Sequence, residues 1–462
     1  MRRVLAIARL TFAEGVRMRI VLVFLVVLVF LVLRMPFALR GDDTLTGRLQ
    51  NFLAYSLGAL SALLSLATVF FSCATLTNEI KERSLHLVVT KPVARFQILV
   101  GKWLGVNLLN VLIVVLAGGA IYGFARFIAA RPEQFERDRL QVRDVVWTAR
   151  VASKPVVPLA EIDEQVTKEI QERLRSGGLD KSGEAAARHA RITELLSQWR
   201  TIEPGGYRFY QFKNLTAPER EDTVLQIRYK ARGLPLPPGE NVRIGWVIHD
   251  PVTGVPLAQR ETDEHSSDLH QFLVRAGPVV RNGELVLQVV NPYPPQVNTS
   301  VYFEGEDSLQ VLYKVGSFEV NFSKALGMIM CQLLLLSAVG LFFGVFVSFP
   351  VACLCTSAFY VICLLLPFVM ESIGANMEVI MPGTDPYGAW GPSVRAFLVP
   401  FLRAAFPDFV RYNGAQYLVD GEYISLGVLG ACSAHTVLYG GLLLLLPGWL
   451  IFQRREVAEV TV

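Results

Sequence analysis

The residues best placed for chemistry lie in one short charged stretch, 78–105, reading NEIKERSLHLVVTKPVARFQILVGKWLG. Glu79 and Arg83, and Glu82 and His86, stand at the i, i+4 spacing that brings two side chains together on a helix, while Ile80, Leu87 and Val88 form an apolar stripe. Pro92 disfavours helix at Lys91, so the chain must turn there before a second helix begins through Arg95, Gly101 and Lys102. The pattern predicts a short surface helix over 79–89, a sharp bend, and a basic entrance to an apolar run. That is the chemistry of a docking element meeting a soluble partner, not of a reaction centre.

Constellations for catalysis are scarce. Gly101-Lys102 is followed by Trp103 and position 96 is Phe, so the G-x-x-x-x-G-K-[ST] loop that cradles nucleotide phosphates is missing. Neither H-E-x-x-H nor G-x-S-x-G occurs. The chain therefore reads as a non-enzyme that needs no cofactor or metal of its own. His249-Asp250, His265 and His270 lie in or near turns, where solvated histidines are a stronger reading than a metal site. Cys353-x-Cys355 carries a weak metal or redox signal, outweighed by packed thiols, because Cys73, Cys331, Cys363 and Cys432 also fall in apolar runs. Glu371 and His435 could mark an ion path, but a headgroup-level carboxylate and an interhelical bond explain them as well.

The elements that position the charged stretch are membrane spans. Hydrophobic residues form 52% of the chain and charged residues 18%, with a mean hydropathy of +0.40, well away from the composition of soluble domains. A bilayer core needs about 20 mostly apolar residues per helix, since lipid cannot satisfy an open backbone N–H or C=O. Six stretches qualify: 16–37, 52–76, 99–128, 326–346, 351–370 and 426–452. Positive charge in short loops sets orientation. Arg2, Arg3, Arg9, Arg17 and Arg19, then Lys81, Arg83, Lys91, Arg95 and Lys102, then Arg454 and Arg455 all share one side of a six-span topology. Both termini and 78–105 are thus expected in the cytoplasm. The first run is read as an uncleaved anchor, because Arg34-Met35-Pro36-Phe37 follows it where a cleaved signal would have small residues.

The fold class expected is a polytopic α-helical membrane protein with six transmembrane helices and a large inserted extracytoplasmic α+β domain. Residues 1–128 carry helices one to three, 129–322 the outer domain, and 323–462 helices four to six. Within the outer domain, 131–200 is charged and helical: Ile162, Val166 and Ile170 share one face, and Ile192, Leu195, Leu196 and Trp199 another. From 205 to 322 short alternating runs, YRFYQF, TVLQIRYKA, VRIGWVIHD, HQFLVRAG, ELVLQVVN, SVYFEG and LQVLYKVGSFEVNF, predict an antiparallel β-sandwich or jelly roll. Trp246, Tyr207 and Phe209 in these runs could stack on sugars, but a sandwich core demands such residues and is the favoured reading. A second outer segment, 393–412, places Arg395, Arg403 and Arg411 among Phe and Leu and is expected to form interfacial or re-entrant half-helices broken at Pro400 and Pro407.

The stretch 78–105 resembles the loop after the second span of ABC type-2 permeases, the membrane subunits of ATP-binding cassette exporters. Glu79, Ile80, Leu85, Lys91, Pro92, Val93, Arg95, Gly101 and Lys102 match that pattern, while Arg83 replaces its usual glycine, Ser84 its threonine and Ala94 its serine. FPDFVRYN before the last span is similar to an aromatic segment of some members. The resemblance covers the six-span layout and not 129–322, which reads as an insertion. It implies that the loop forms a coupling helix seated on a separate ABC ATPase subunit, two copies of which drive two permease copies in the bilayer of a bacterial inner membrane. Glu79, Glu82, Arg83 and Ser84 would then contact the ATPase, with Pro92, Arg95 and Lys102 fixing the helix against the membrane face. A net charge of +4 gives no footing for nucleic acid. The competing reading is a membrane-anchored sensor that recognises a glycan or protein through its β-sandwich; a membrane enzyme lacks any constellation to support it.

Overall fold

The computed structural model describes residues 2–38, 44–81, 94–130, 142–178, 184–216, 223–237, 239–305, 307–372, 392–436 and 443–454. In chain order the elements are α1 (Arg2–Arg17), α2 (Arg19–Ala38), α3 (Leu45–Lys81), α4 (Arg95–Ala129), β1 (Thr148–Ser153), α5 (Leu159–Arg175), α6 (Glu184–Arg200), β2 (Thr201–Ile202), β3 (Tyr207–Phe212), β4 (Val224–Leu234), β5 (Asn241–His249), β6 (Pro256–His265) and β7 (Leu269–Arg275). There follow α7 (Ala276–Val279), β8 (Leu285–Val290), β9 (Ser300–Phe303), β10 (Leu309–Ser317), α8 (Phe318–Gly344), α9 (Phe349–Ser372), α10 (Pro392–Ala405), α11 (Gly414–Val419), α12 (Leu426–Ser433) and α13 (Leu443–Arg454). A helical unit comprises Met1–Ala149, Gly316–Ile373 and Ala389–Val462, and a β-rich unit takes Arg150–Val315. The division falls at 149/150 and 315/316, not at 128/129 and 322/323. Val142 and Val146 are buried in the helical core, and Phe318 and Phe322 already belong to its α8.

Among the described residues, four helices are long and apolar enough to cross a membrane: α3, α4, α8 and α9. The chain is therefore suited to a membrane-embedded protein. The first apolar run is not one straight helix: α1 and α2 meet at a 60° bend, and only if this bent pair is one span does the number rise to five. The last run is described as α12 and α13, with 437–442 between them outside the described residues. At 37 residues α3 is about 55 Å long at 1.5 Å per residue, so its ends reach past a hydrocarbon core. Leu49, Phe52, Leu53 and Leu57 of α3 pack with Phe318, Phe322 and Met328 of α8 in one cluster. Hydroxyls and amides tie the same helices together, the glue expected where lipid offers no partners: Gln332 donates to Ser65 at 2.9 Å, Asn107 to Ser337 at 2.8 Å, and Thr68 to Asn110 at 3.1 Å. The segment 393–412 departs from its expected shape, since α10 continues through Pro400 and ends before Pro407. Beyond it Phe409 is buried against Tyr360, with ring centres 6.0 Å apart.

The β-rich unit holds two sheets, one ordered β1-β10-β4-β9-β2 with β7 also on β4, the other β3-β8-β5-β6. Pairings of β4 with β7, β9 and β10, and of β5 with β6 and β8, run antiparallel. Alternation puts Ile227 and Tyr229 of one sheet and Ile244, Trp246 and Leu287 of the other into a common core, with Tyr229 and Trp246 ring centres 4.6 Å apart. Trp246 also satisfies its indole N–H on Thr262 Oγ1 at 2.9 Å. Tyr207 and Phe209 sit on the opposite face of β3, 62% and 49% exposed, so of the three aromatics read as core only Trp246 is. In the α5/α6 hairpin, Ile162, Val166 and Ile170 are buried and Ile192, Leu195 and Leu196 pack on them.

Candidate functional site

Of the residues singled out in 78–105, Glu79, Arg95 and Lys102 are described, whereas Glu82, Arg83, Ser84 and Pro92 lie outside the described residues. The three described ones gather at one end of the helical unit, where α3 finishes, α4 begins, and α1 and α13 pack beside them. Lys102, in the second turn of α4, is only 2% exposed. A lone ammonium in such a place would carry a desolvation penalty of several kcal/mol. Its three protons are answered by Glu79 Oε1 at 2.8 Å, the Thr75 carbonyl at 2.9 Å and Thr75 Oγ1 at 3.4 Å. Thr75 in turn donates its hydroxyl to Glu14 Oε2 of α1 at 3.1 Å. One cation thus joins three helices through two carboxylates and a threonine.

Arg95 has a different task at the same end. Its guanidinium donates to the Phe452 carbonyl and to the Gln453 carbonyl, the latter at 3.0 Å, and lies over the Phe452 ring at 5.5 Å. Those carbonyls belong to the last turn of α13, whose C=O groups have no partner further along the helix. A cation there also meets the negative end of the helix dipole. Phe96 stacks edge-on to Trp449 at 5.8 Å, and Leu76, Leu99, Leu341 and Phe452 close the apolar layer around the pair.

The glycine of the Gly101-Lys102 pair is explained by α1. A Cβ at Gly101 would stand 2.8 Å from Ile7 Cβ, and one at Gly105 would stand 2.6 Å from the Ala8 carbonyl. Gly101 and Gly105, four residues apart on one face of α4, let the α1 backbone lie directly against it. That close approach carries Glu14 to Thr75.

The chain matches no family model and no curated protein.

Glu14, Thr75 and Gly105 are the participants that sequence reasoning missed. Glu14 had a signal, as the only acidic residue before Asp42 in a segment rich in arginine. Thr75 had none, being one of several hydroxyls inside an apolar helix. Glu79 was read locally, toward Arg83, which lies outside the described residues, and its contact with Lys102 was not foreseen. Outside this site the histidines considered for metal are occupied: His249 bonds the Gly254 carbonyl at 3.0 Å and Gln288 Oε1 at 2.7 Å, and His270 bonds the His265 carbonyl and Glu264. Among the described residues no three His, Cys, Asp or Glu side chains converge to hold a metal. Cys73, Cys331, Cys353, Cys363 and Cys432 are buried free thiols, and Cys355 is half-buried.

Proposed function

We propose that the chain is the permease subunit of an ATP-binding cassette transporter, an exporter with six spans in a bacterial cytoplasmic membrane. Its termini and the 78–105 loop face the cytoplasm, two copies of a separate ATPase subunit supply the energy, and a second permease copy completes the pathway. The supporting observation is the buried Lys102–Glu79 pair with its extension through Thr75 to Glu14, located within the segment that resembles the coupling loop. A loop that transmits force needs a rigid base, and a fully satisfied buried polar network supplies one. In this reading Glu79 joins Arg95 and Lys102 in fixing the loop, and Glu82, Arg83 and Ser84 remain to face the ATPase. Nucleotide-driven closure of the ATPases would move α3 and α4 together, and α1 with them.

The test is affinity purification of the tagged chain from its native host, with ATPase activity assayed on the eluate. An ATPase subunit should co-purify, Arg83→Glu should release it, and Ser84→Ala should weaken it. Recovery of no ATPase, or association indifferent to Arg83→Glu, refutes the assignment.

One observation favours a second reading, that of a membrane-anchored binding protein. Tyr207 and Phe209 stand exposed on β3, edge-on to each other at 5.7 Å, with His249 beside Phe209 at 5.4 Å. Such a row offers flat apolar faces next to hydrogen-bonding groups, which suits a glycan. Saturable oligosaccharide binding abolished by Phe209→Ala, without any co-purifying ATPase, would decide for this reading.

A further inference from the structure

A cavity of about 230 Å3 lies within the β-rich unit, its walls including Lys154, Leu159, Trp199, Arg200, Tyr210 and Phe303. Trp199 and Phe303 stand edge-on to the Tyr210 ring at 5.1 and 5.9 Å. Tyr210 itself is 2% exposed, yet its hydroxyl meets no hydrogen-bond partner among the described residues. Buried hydroxyls are nearly always answered, because leaving one unmatched forfeits its hydration for nothing. An acceptor supplied from outside the chain would match it.

The surroundings specify the charge of that acceptor. Burial pushes the Tyr210 phenol up, and the Arg208 and Arg200 guanidiniums pull it only part of the way back, so the phenol stays a donor. Arg208 Nη2 bonds the main-chain carbonyls of Gln198 and Thr201 at 3.4 and 3.3 Å, while its Nε is buried and unmatched among the described residues. Lys154 on the rim is paired with Asp307 at 2.8 Å, which leaves the arginines to set the sign of the potential. A donor phenol, nearby guanidiniums and aromatic walls fit an anion with an apolar body. The volume is below the usual range for drug-sized ligands and suits a molecule of metabolite size. A guanidinium fork matches a planar carboxylate better than it matches a bare halide.

We infer that this cavity binds a small organic carboxylate, its apolar body against Trp199, Tyr210 and Phe303 and its carboxylate on the Tyr210 hydroxyl and the Arg200 guanidinium. Nothing in this site depends on the transporter reading, since every residue lies within the β-rich unit.

The test uses the full-length chain in detergent and phenylacetate as the probe, followed by calorimetry and by tryptophan emission, with Trp199→Phe identifying the reporting ring. Phenylacetate should bind saturably, and benzyl alcohol and sulfate should bind at least about tenfold more weakly, because each lacks half of the recognition. Tyr210→Phe should weaken phenylacetate binding about tenfold, the scale of one hydrogen bond to a charged acceptor. It keeps the ring and removes an unmatched hydroxyl, so the ligand-free variant should melt no lower than wild type. Arg200→Gln should lose more. Absence of saturable phenylacetate binding into the millimolar range overturns the inference. So does an affinity unchanged by Tyr210→Phe, benzyl alcohol binding as well as the acid, or sulfate binding as well as phenylacetate.

Discussion

Two ion pairs of equal length sit in opposite surroundings. Lys102 and Glu79 meet at 2.8 Å in the helical unit with side chains 2% and 24% exposed; Lys168 and Glu164 meet at 2.8 Å on α5 with side chains 73% and 70% exposed. In the first, the ammonium has no route to water if the pair separates, so the loss of Glu79 exposes a buried cation to its full desolvation penalty. The second is surrounded by water and exchanges one set of hydrogen bonds for another. Distance therefore says little about worth, and burial decides it. The same contrast divides the charged residues of the chain into those that fix the end of the helical unit and those that keep the α5/α6 hairpin soluble.

The largest effect should come from breaking the buried pair. Lys102→Met removes the buried ammonium that Glu79 faces at 2.8 Å and that Thr75 ties to the network and should cost ~3 kcal/mol, the lower end for such pairs because Glu79 keeps some access to water. Thermal unfolding in detergent reads it. Adding Glu79→Gln should restore more than half of the loss, and single effects that merely add would show that the two residues are not coupled.

Next comes the contact that delivers Glu14. Gly105→Ala places a methyl 2.6 Å from the Ala8 carbonyl, an overpacking that should cost ~2 kcal/mol and speed tryptic cleavage after Arg9. Gly119 on the same helix has nothing within 4 Å of a Cβ, so Gly119→Ala should instead gain about 0.5 kcal/mol through helix propensity. Equal effects at the two glycines would mean that α1 does not lean on α4.

How much of this was legible follows from the range of the interactions. Strands β4, β5, β9 and β10 announce themselves by alternation of apolar and polar residues, and β3, β7 and β8 as short apolar and aromatic runs between turn residues. Strand β6 carries no such signal: QRETDE sits at the edge of its sheet, with Thr262 its only fully buried residue, and charge at an edge guards against stray pairing. Its one clue was the turn before it, where Asp250 accepts from Val252 N at 2.8 Å and Gly254 takes φ +70°. The four long apolar helices α3, α4, α8 and α9 were legible from hydropathy, but the 60° bend between α1 and α2 was not, since apolar content does not encode direction. Nor could Lys102 be matched to Glu79 from spacing. Helical periodicity pairs residues within a turn or two, whereas this contact depends on how two helices are laid together.

At the exposed end of the comparison, Lys168→Ala should leave the unfolding midpoint within error of wild type, because solvent and salt already screen the pair. A drop as large as that of Lys102→Met would erase the distinction between the two surroundings. A half-buried pair in the same hairpin, with side chains 25% and 30% exposed, is better built than its neighbours. Arg191 reaches Glu169 with two N–H groups at 2.7 and 3.1 Å, and those bonds, helped by Gln165, hold the Glu169 carboxyl down to about 2 from its ordinary 4.5. A carboxyl whose folded value is depressed stabilises the fold fully above its unfolded value and loses that contribution as pH falls through the folded one. The window for this pair is therefore between 4.5 and about 2. Hydrogen exchange of α5 and α6 amides, compared at each pH between the natural chain and Glu169→Gln, should show extra protection near neutral pH that disappears across that window. Protection that differs equally at neutral pH and at pH about 2 would mean that the amide hydrogen bonds, not the charge on Glu169, carry the link between the two helices.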